Sequence, residues 1–222
     1  MFRLIISLFF LGLFINPLQA ALKGKVDLGP TYIDVDVLES GKTVDHLHMV
    51  GVKGDLTLLL YQGLYIKSGF ILASDHGDLA SGSVALGYYV PINESLRILP
   101  HGGVTCGYLR TKIDIEALGL HDLKERFRSV SPFVGLEVCY TFAKKWTITA
   151  IYQFAWSRTH TKIKPIVSST GHSAGSNYSL GLEYSLNDHW SINAGVGYNE
   201  SLSKEKHGLR AKGAKLGLGY YF

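Results

Sequence analysis

Apolar and polar residues alternate with a period of two along most of the chain. In the segment Trp190–Asn199, every even position is apolar and every odd position is small or polar. Successive side chains of a β-strand point to opposite faces, so this alternation predicts amphipathic strands. Ten segments carry the pattern: Gly24–Tyr32, Val52–Leu60, Leu64–Leu72, Val84–Val90, Leu96–Tyr108, Val134–Phe142, Trp146–Trp156, Asn177–Leu186, Trp190–Asn199 and Ala214–Phe222.

The charges of these segments lie on only one of the two faces. The apolar face, which is even-numbered throughout, contains no Asp, Glu, Lys or Arg. A Lys or Arg that faces lipid at mid-depth costs about 2–4 kcal/mol in a barrel, so a membrane wall requires this separation. A soluble sandwich would instead turn its charged face outward. The segments are also close to the roughly 9–11 residues of a tilted membrane strand, which favours the membrane.

The connections between the segments alternate between short and long. Short turns are expected at Tyr61–Gly63, Pro91–Ser95, Ala143–Lys145 and Asn187–His189, and longer polar loops at Glu39–Asp45, Asp75–Ala80, Lys112–Arg126, His160–Ser173 and Ser201–Gly208. This alternation is typical of an outer-membrane barrel with both termini in the periplasm. We therefore predict an all-β chain forming a transmembrane antiparallel up-and-down β-barrel of about ten strands, with eight as the alternative.

Aromatic residues cluster beside the rim with the short turns. They include Tyr140, Trp146, Tyr184, Trp190 and Tyr220. Amphipathic rings favour the headgroup level of a membrane, whereas core aromatics would be scattered along the strands. We interpret these five residues as interface aromatics.

The first twenty residues have the order of a secretory signal peptide. Met1–Arg3 carries one positive charge, Leu4–Ile15 is apolar, and Asn16-Pro17 precedes a cleavage site after Ala20. We therefore predict two parts, a cleaved signal peptide over residues 1–20 and one barrel domain over residues 21–222.

Composition removes several other classes of protein. The net charge of +4 is spread over 222 residues without a basic run, so a nucleic-acid binder is not expected. The two cysteines are too few for a disulfide scaffold. Cys106 falls on the outward face and Cys139 on the inward face, so we predict two unpaired thiols. No cofactor is implied.

The inward face carries charges that a narrow lumen would enclose. Beside Lys25 and Asp27 near the N-terminus, these lumen charges are Lys53, Asp55, Lys67, Arg97, Glu137, Glu183 and Lys215. One interpretation is a plug of paired charges, because confined charges need partners or water. The other is a narrow conducting path, because charges lining a narrow lumen bias ion passage.

Seven of the nine histidines lie at or near the rim with the long loops, among them His46, His48, His160 and His172. We interpret them as solvated residues and predict no metal site, although imidazole binds transition metals. Catalytic residues are not expected either. A base must reach its nucleophile, and Glu183 is predicted near the periplasmic rim, whereas His172 is in an external loop.

Two segments, Gly181–Ile192 and Gly135–Ile148, have the pattern of a strand, a turn and a strand, and Gly217–Phe222 ends in phenylalanine. They resemble the strand–turn–strand unit and the terminal signal of small bacterial outer-membrane barrels of the opacity-protein and outer-membrane-protein-A-like group. The resemblance implies that barrel-insertion machinery reads Tyr220 and Phe222. Members of this group commonly have eight strands.

The expected location is the bacterial cell outer membrane, and the expected partners are outer-membrane lipid and lipopolysaccharide. We expect a monomeric, non-enzymatic surface protein, envelope-structural or adhesin-like, with a host or environmental ligand possible at its extracellular loops. A narrow porin for ions or small solutes is the first alternative, and a barrel enzyme is the second. Nothing in the fold itself decides between these functions.

Overall fold

A computed structural model describes residues 23–115, 120–163 and 167–222. They form one closed antiparallel sheet, in which the ten long strands pair in chain order and β1 pairs with β11. The short β5 pairs only with β6, which also pairs with β4. The strands are β1 Lys23–Glu39, β2 Lys42–Leu59, β3 Leu64–Asp75, β4 Asp78–Tyr88, β5 Val90–Pro91, β6 Leu96–Ile115, β7 Leu120–Phe142, β8 Trp146–Ile163, β9 Val167–Ser185, β10 Trp190–Leu202 and β11 Gly208–Tyr221. Ten long strands confirm the predicted barrel, and eight is wrong.

The signal peptide lies outside the described residues, so residues 1–20 and the boundary with the barrel domain remain a prediction. Within the three described ranges, no helix has both the length and the apolar character needed to cross a membrane.

Residues that face each other across neighbouring strands have the same parity. Lys25 is opposite Tyr221, and Trp146 is opposite Tyr184. Directly opposed side chains share a face of the sheet, so this register keeps even numbers outside and odd numbers inside around the barrel. Every exposed large apolar residue in the described ranges is even-numbered, and every buried apolar residue except Leu38, which follows a bulge, is odd-numbered.

The prediction of longer external loops is wrong for four of the five segments, because the strands continue into them, whereas the loop predicted at Ser201–Gly208 is present in shorter form. Ser40-Gly41 alone joins β1 to β2, and β3 is joined to β4 by His76-Gly77. Ser203–His207 joins β10 to β11. The segments predicted as loops at 112–126 and 160–173 are strand wherever the structure describes them, and β7 reaches 23 residues.

The alternation of apolar and polar residues inverts at this end of the barrel. In β1, the apolar residues up to Tyr32 face outward. After Tyr32 the pattern reverses, so that Ile33 and Val35 are buried inside and Asp34 and Asp36 face outward. The inverted positions form a cluster: Ile33, Val35, Leu47, Met49, Ala73 and Leu109. A wall surrounded by water buries its apolar side chains inside, so these strand ends lie beyond the membrane. We call the inverted strand ends the outer extensions.

Aromatic side chains mark both edges of the apolar outer band. The outer edge carries Tyr32, Tyr108, Trp156, Tyr178 and Tyr198 on the even face. Trp146 and Trp156 are ten positions apart on β8. At a rise of about 3.3 Å and a tilt of about 40° this separation spans about 25 Å along the membrane normal, the height of the apolar band of an outer-membrane barrel.

Candidate functional site

The charges of the lumen are joined in pairs in the periplasmic half of the barrel. Lys67 Nζ on β3 lies 2.8 Å from Glu137 Oε2 on β7. Because β4 and β6 separate these two strands in the sheet, the contact crosses the interior rather than joining neighbouring strands. Lys25 on β1 likewise reaches Glu183 on β9, at 2.5 Å. These contacts fasten non-adjacent strands to each other.

The remaining lumen charges complete this ion-pair belt. Asp55 is 3.2 Å from Lys215 Nζ and 3.9 Å from Lys53 Nζ. Asp27 accepts from Lys25 at 3.0 Å and from the Asn193 amide at 2.5 Å. The ion-pair belt therefore consists of Lys25, Asp27, Lys53, Asp55, Lys67, Glu137, Glu183 and Lys215. Charges confined in a lumen lose part of their hydration, and pairing offsets that loss.

Arg97 differs from the other predicted lumen charges. Its Nη2 donates to Thr141 Oγ1 at 3.0 Å, and its buried Nε has no hydrogen-bond partner among the described residues. Farther along β6, His101 Nε2 and Gln153 Nε2 are 3.0 Å apart, and Gln153 Oε1 accepts from Asn177 at 2.8 Å. This polar chain runs along the inner wall across β6, β8 and β9.

Side chains do not fill the barrel. The lumen encloses a cavity of about 2340 Å³ whose lining extends from Lys25 near the periplasmic end to His207 at the outer turn. Hydroxyl groups cover much of the wall formed by β7 to β10, including those of Ser131, Thr149, Thr159, Ser173 and Ser201. A cavity of this size has room for many water molecules beside these hydroxyl groups and the charged side chains.

A basic patch lies on the outward face of the outer extensions of β6, β7 and β8. It consists of Arg110, Arg126, Arg128, Arg158 and Lys162. Arg110 is directly opposite Arg126, which is directly opposite Lys162. Arg110 is 3.6 Å from Asp78, whereas the other four have no carboxylate partner within the described ranges. Like charges directly opposite each other in a sheet are destabilising, so the patch favours an external anion.

A second polar cluster lies on the outward face of β1 and β2. Asp34 is opposite His48, and Asp36 is opposite His46. Each Asp Oδ1 is 2.5 Å from the Nδ1 of its histidine, and Tyr32 also donates to Asp34 at 2.9 Å. The hydrogen bond from His48, followed by that from Tyr32, lowers the pKa of Asp34 below its ordinary value. This carboxylate is therefore ionised at neutral pH.

The predicted interface aromatics form a nearly continuous row at the periplasmic edge. The ring centroids of Trp146 and Tyr184 are 4.7 Å apart, and those of Trp190 and Tyr220 are 4.9 Å apart. Tyr140 joins the row through Phe142 at 6.4 Å. At the chain end, the backbone of Phe222 exchanges two hydrogen bonds with Gly24, at 3.0 and 3.1 Å. The terminal residue is thus fixed at the seam where β11 meets β1.

Both cysteines are unpaired, as predicted: Cys106 is exposed on the outward face, and Cys139 is buried inside. The Cys139 thiol contacts Glu137 at 3.5 Å and Thr149 at 3.6 Å.

Two functional features escaped the sequence analysis. The basic patch and the Asp34–His48 pairing lie outside the ten segments predicted as strands, so no register was predicted for them. The signal was present in the parity of the residues, since Arg126, Arg128, Arg158 and Lys162 are all even-numbered. Alternation with apolar odd positions such as Phe127 would have placed the charges on one face.

A closed barrel with an apolar outer band, aromatic edges and a polar lumen defines an integral outer-membrane β-barrel protein. The family described as "Outer membrane protein beta-barrel domain" matches residues 148–222 of this chain. No curated protein matches the sequence significantly.

Several solved barrels resemble the whole described fold. The outer membrane protease OmpT from Escherichia coli has a TM-score of 0.55 at 11% identity, covering 94% of this chain and 99% of that one. The β domain of the Bordetella autotransporter BrkA gives 0.53 at 12%, covering 90% and 100%. Ail, the attachment invasion locus protein of Yersinia pestis, in complex with the heparin analogue sucrose octasulfate, gives 0.50 at 11%, covering 90% and 99%. At these identities the three structures confirm the barrel fold alone. The outer-membrane location follows from the apolar outer band together with the family match over residues 148–222.

Proposed function

We propose that this barrel is an envelope-structural surface protein that binds the phosphate groups of lipopolysaccharide through the basic patch. The direct opposition of Arg110 and Arg126, with Lys162 opposite Arg126 in turn, is the observation that carries the proposal. Arginine offers a planar fork of donors that matches a phosphate group, and such charge-assisted hydrogen bonds are among the stronger ones in proteins.

The height of the patch fits a lipid ligand. Arg128 precedes Val130 on β7, and Arg158 follows Trp156 on the antiparallel β8, so each arginine is the next lipid-facing position toward the outer end of its strand. Val130 and Trp156 are half exposed and belong to the apolar band. The guanidinium groups therefore lie at the boundary between hydrocarbon and water, where lipid headgroup phosphates are found.

The proposed surface role does not require a lumen that conducts ions or solutes. Ion pairs cross the periplasmic half, and an apolar cluster including Leu47 and Met49 is packed inside the outer half. The outer extensions, rather than long loops, are the surface that a host or environmental ligand would contact. We also propose that the barrel is not an enzyme, because Glu183 bonds Lys25 near one end of the barrel and His172 faces outward near the other.

The proposal is tested by measuring lipopolysaccharide binding to the refolded barrel. In the variant R128Q/R158Q we expect at least a tenfold loss of affinity, since a hydrogen bond to a charged group contributes about 1.5–3 kcal/mol. The control K144Q/K145Q removes the same charge at the periplasmic turn and should bind as the wild type does. Lipopolysaccharide without its phosphates should bind weakly to all three proteins. Equal affinity of the wild type and R128Q/R158Q overturns the proposal.

A narrow channel for ions or small solutes is a second candidate, favoured by the cavity of about 2340 Å³. Planar-bilayer recordings distinguish it from the structural role. Reproducible conductance steps that change in Glu137→Gln would support a channel through the ion-pair belt. If correctly folded protein gives no conductance in the bilayer, the channel is excluded and the envelope-structural role remains.

A further inference from the structure

Two histidines and two aspartates form a compact square on the outward face of the outer extensions. His46 and His48 are two residues apart on β2, so their side chains share one face. Asp36 and Asp34 are the residues directly opposite them on β1. The two imidazole rings meet edge to face, with their centroids 4.4 Å apart.

Three of these residues hold metal-ligand atoms close to one another. One ligand atom from each of Asp34, His46 and His48 lies within 4.8 Å of the other two. Ligands of a tetrahedral zinc ion with bonds of about 2.0–2.1 Å are about 3.3 Å apart. The histidines are exposed or half-buried at the outer rim, so rotations of these side chains can close the difference.

The hydrogen bonds around the square match those that support metal-bound histidine. A histidine that binds a metal through one ring nitrogen usually donates a proton from the other to a carboxylate. His46 Nδ1 is 2.5 Å from Asp36, which leaves its Nε2 available to a metal. His48 Nδ1 and Asp34 Oδ1 are 2.5 Å apart, and a metal ion bound to both side chains would take the place of this hydrogen bond. The ring of His76 also contacts that of His48 edge to face, with their centroids 6.2 Å apart.

We propose that Asp34, His46 and His48 bind one divalent transition-metal ion, with Asp36 orienting His46. Two imidazoles and a carboxylate suit zinc and its neighbours in the first transition row, whereas calcium and magnesium prefer oxygen ligands alone. The ion would join the outer ends of β1 and β2. The site is separate from the basic patch, so it stands or fails independently of lipopolysaccharide binding.

Nearby cations set a limit on the affinity of the site. Lys212 is directly opposite Asp34 on β11, and Arg210 is opposite Asp36. Arg210 Nε is engaged by Glu200 at 2.9 Å, which offsets its charge. Lys212 is exposed. Removing its charge in Lys212→Gln should tighten metal binding, because a like charge near the ligands disfavours a cation.

The test is a zinc titration of the untagged, full-length mature barrel refolded in detergent, in competition with a chelating dye. We expect one zinc ion per barrel and at least a hundredfold weaker binding in H46A/H48A. Asp36→Asn should weaken binding by about tenfold to a hundredfold, the usual effect of losing a carboxylate behind a metal-bound histidine. The control H160A/H172A removes two other histidines of the same rim and should bind as the wild type does.

Cobalt supplies a readout that does not depend on affinity alone. Visible absorption typical of tetrahedral cobalt should appear in the wild type and in H160A/H172A and be absent from H46A/H48A. Faster migration of the unboiled protein on a detergent gel confirms that each variant is folded. No stoichiometric zinc binding by the wild type, or an equal loss in H160A/H172A, overturns the proposal.

Discussion

Lys67 and Glu137 join two strands that are not neighbours, with Nζ and Oε2 2.8 Å apart across the lumen. Glu137→Gln removes the carboxylate and leaves Lys67 confined without its partner. We expect the free energy of unfolding to fall by about 1–3 kcal/mol, toward the lower end because lumen water can solvate the ammonium group. Urea unfolding of the refolded barrel measures the change.

Two further variants separate pairing from simple loss of a side chain. The exchange K67E/E137K restores opposite charges and should recover much of the lost stability. Lys53→Gln should change stability less, because Asp55 keeps its closer partner Lys215 at 3.2 Å. An exchange variant no more stable than Glu137→Gln would show that the ion pair does not brace the barrel.

Two glycines on the inward face of β9 should respond in opposite ways to alanine. A Cβ at Gly175 would lie 1.7 Å from the carbonyl oxygen of Glu200, whereas a Cβ at Gly171 would meet nothing within 4 Å. Gly175→Ala should cost about 1–3 kcal/mol through overpacking. Gly171→Ala should be neutral or stabilising by about 0.4–1 kcal/mol, because it restricts the unfolded chain. Equal effects in urea unfolding would contradict the close approach of β9 and β10.

Substitution of the terminal phenylalanine should impair assembly of the barrel in cells without changing its refolding in detergent. Phe222→Ala keeps the backbone hydrogen bonds to Gly24 but removes the ring that the resemblance assigns to the insertion signal. We expect several-fold less folded barrel in outer membranes, scored by the faster migration of unboiled protein, and unchanged refolding in detergent. Phe142→Ala removes another outward ring of the same rim and serves as the control. A similar loss for both variants in cells would assign Phe222 an ordinary interface role.

Within the membrane, the fold could be predicted from the sequence alone because one effect, the partition of side chains between hydrocarbon and water, acts on every strand. Hydrocarbon outside the barrel and water inside it make every strand alternate in the same sense. The residue type therefore predicts which face a side chain occupies, as for the apolar Leu180 outside and the small Gly181 inside. The pairing of charges could not be predicted, since Lys67 and Glu137 are 70 positions apart. Their contact depends on the curvature and register of four strands.

Beyond the membrane, the same reasoning failed for a physical reason. Ile33 and Val35 are apolar residues at odd positions and face inward, so the pattern of apolar residues at even positions ended the predicted strand at Tyr32. The change of solvent at Tyr32 reverses which face must be apolar, although the strand itself continues to Glu39. Asp34 and His48 became recognisable as neighbours only once that continuation fixed the register.

The most direct test of the barrel's orientation in the membrane is a spin-label scan along β8, from Thr147 to Lys162, in a background without native cysteines. Power saturation in bilayers reports contact of each label with oxygen, which dissolves in hydrocarbon, and with a water-soluble nickel chelate. Even positions from Ile148 to Trp156 should be accessible to oxygen and their odd neighbours to nickel, and from Arg158 onward the even positions should become accessible to nickel. Oxygen contact at Thr149 and Gln153, or no alternation along the strand, would contradict the account.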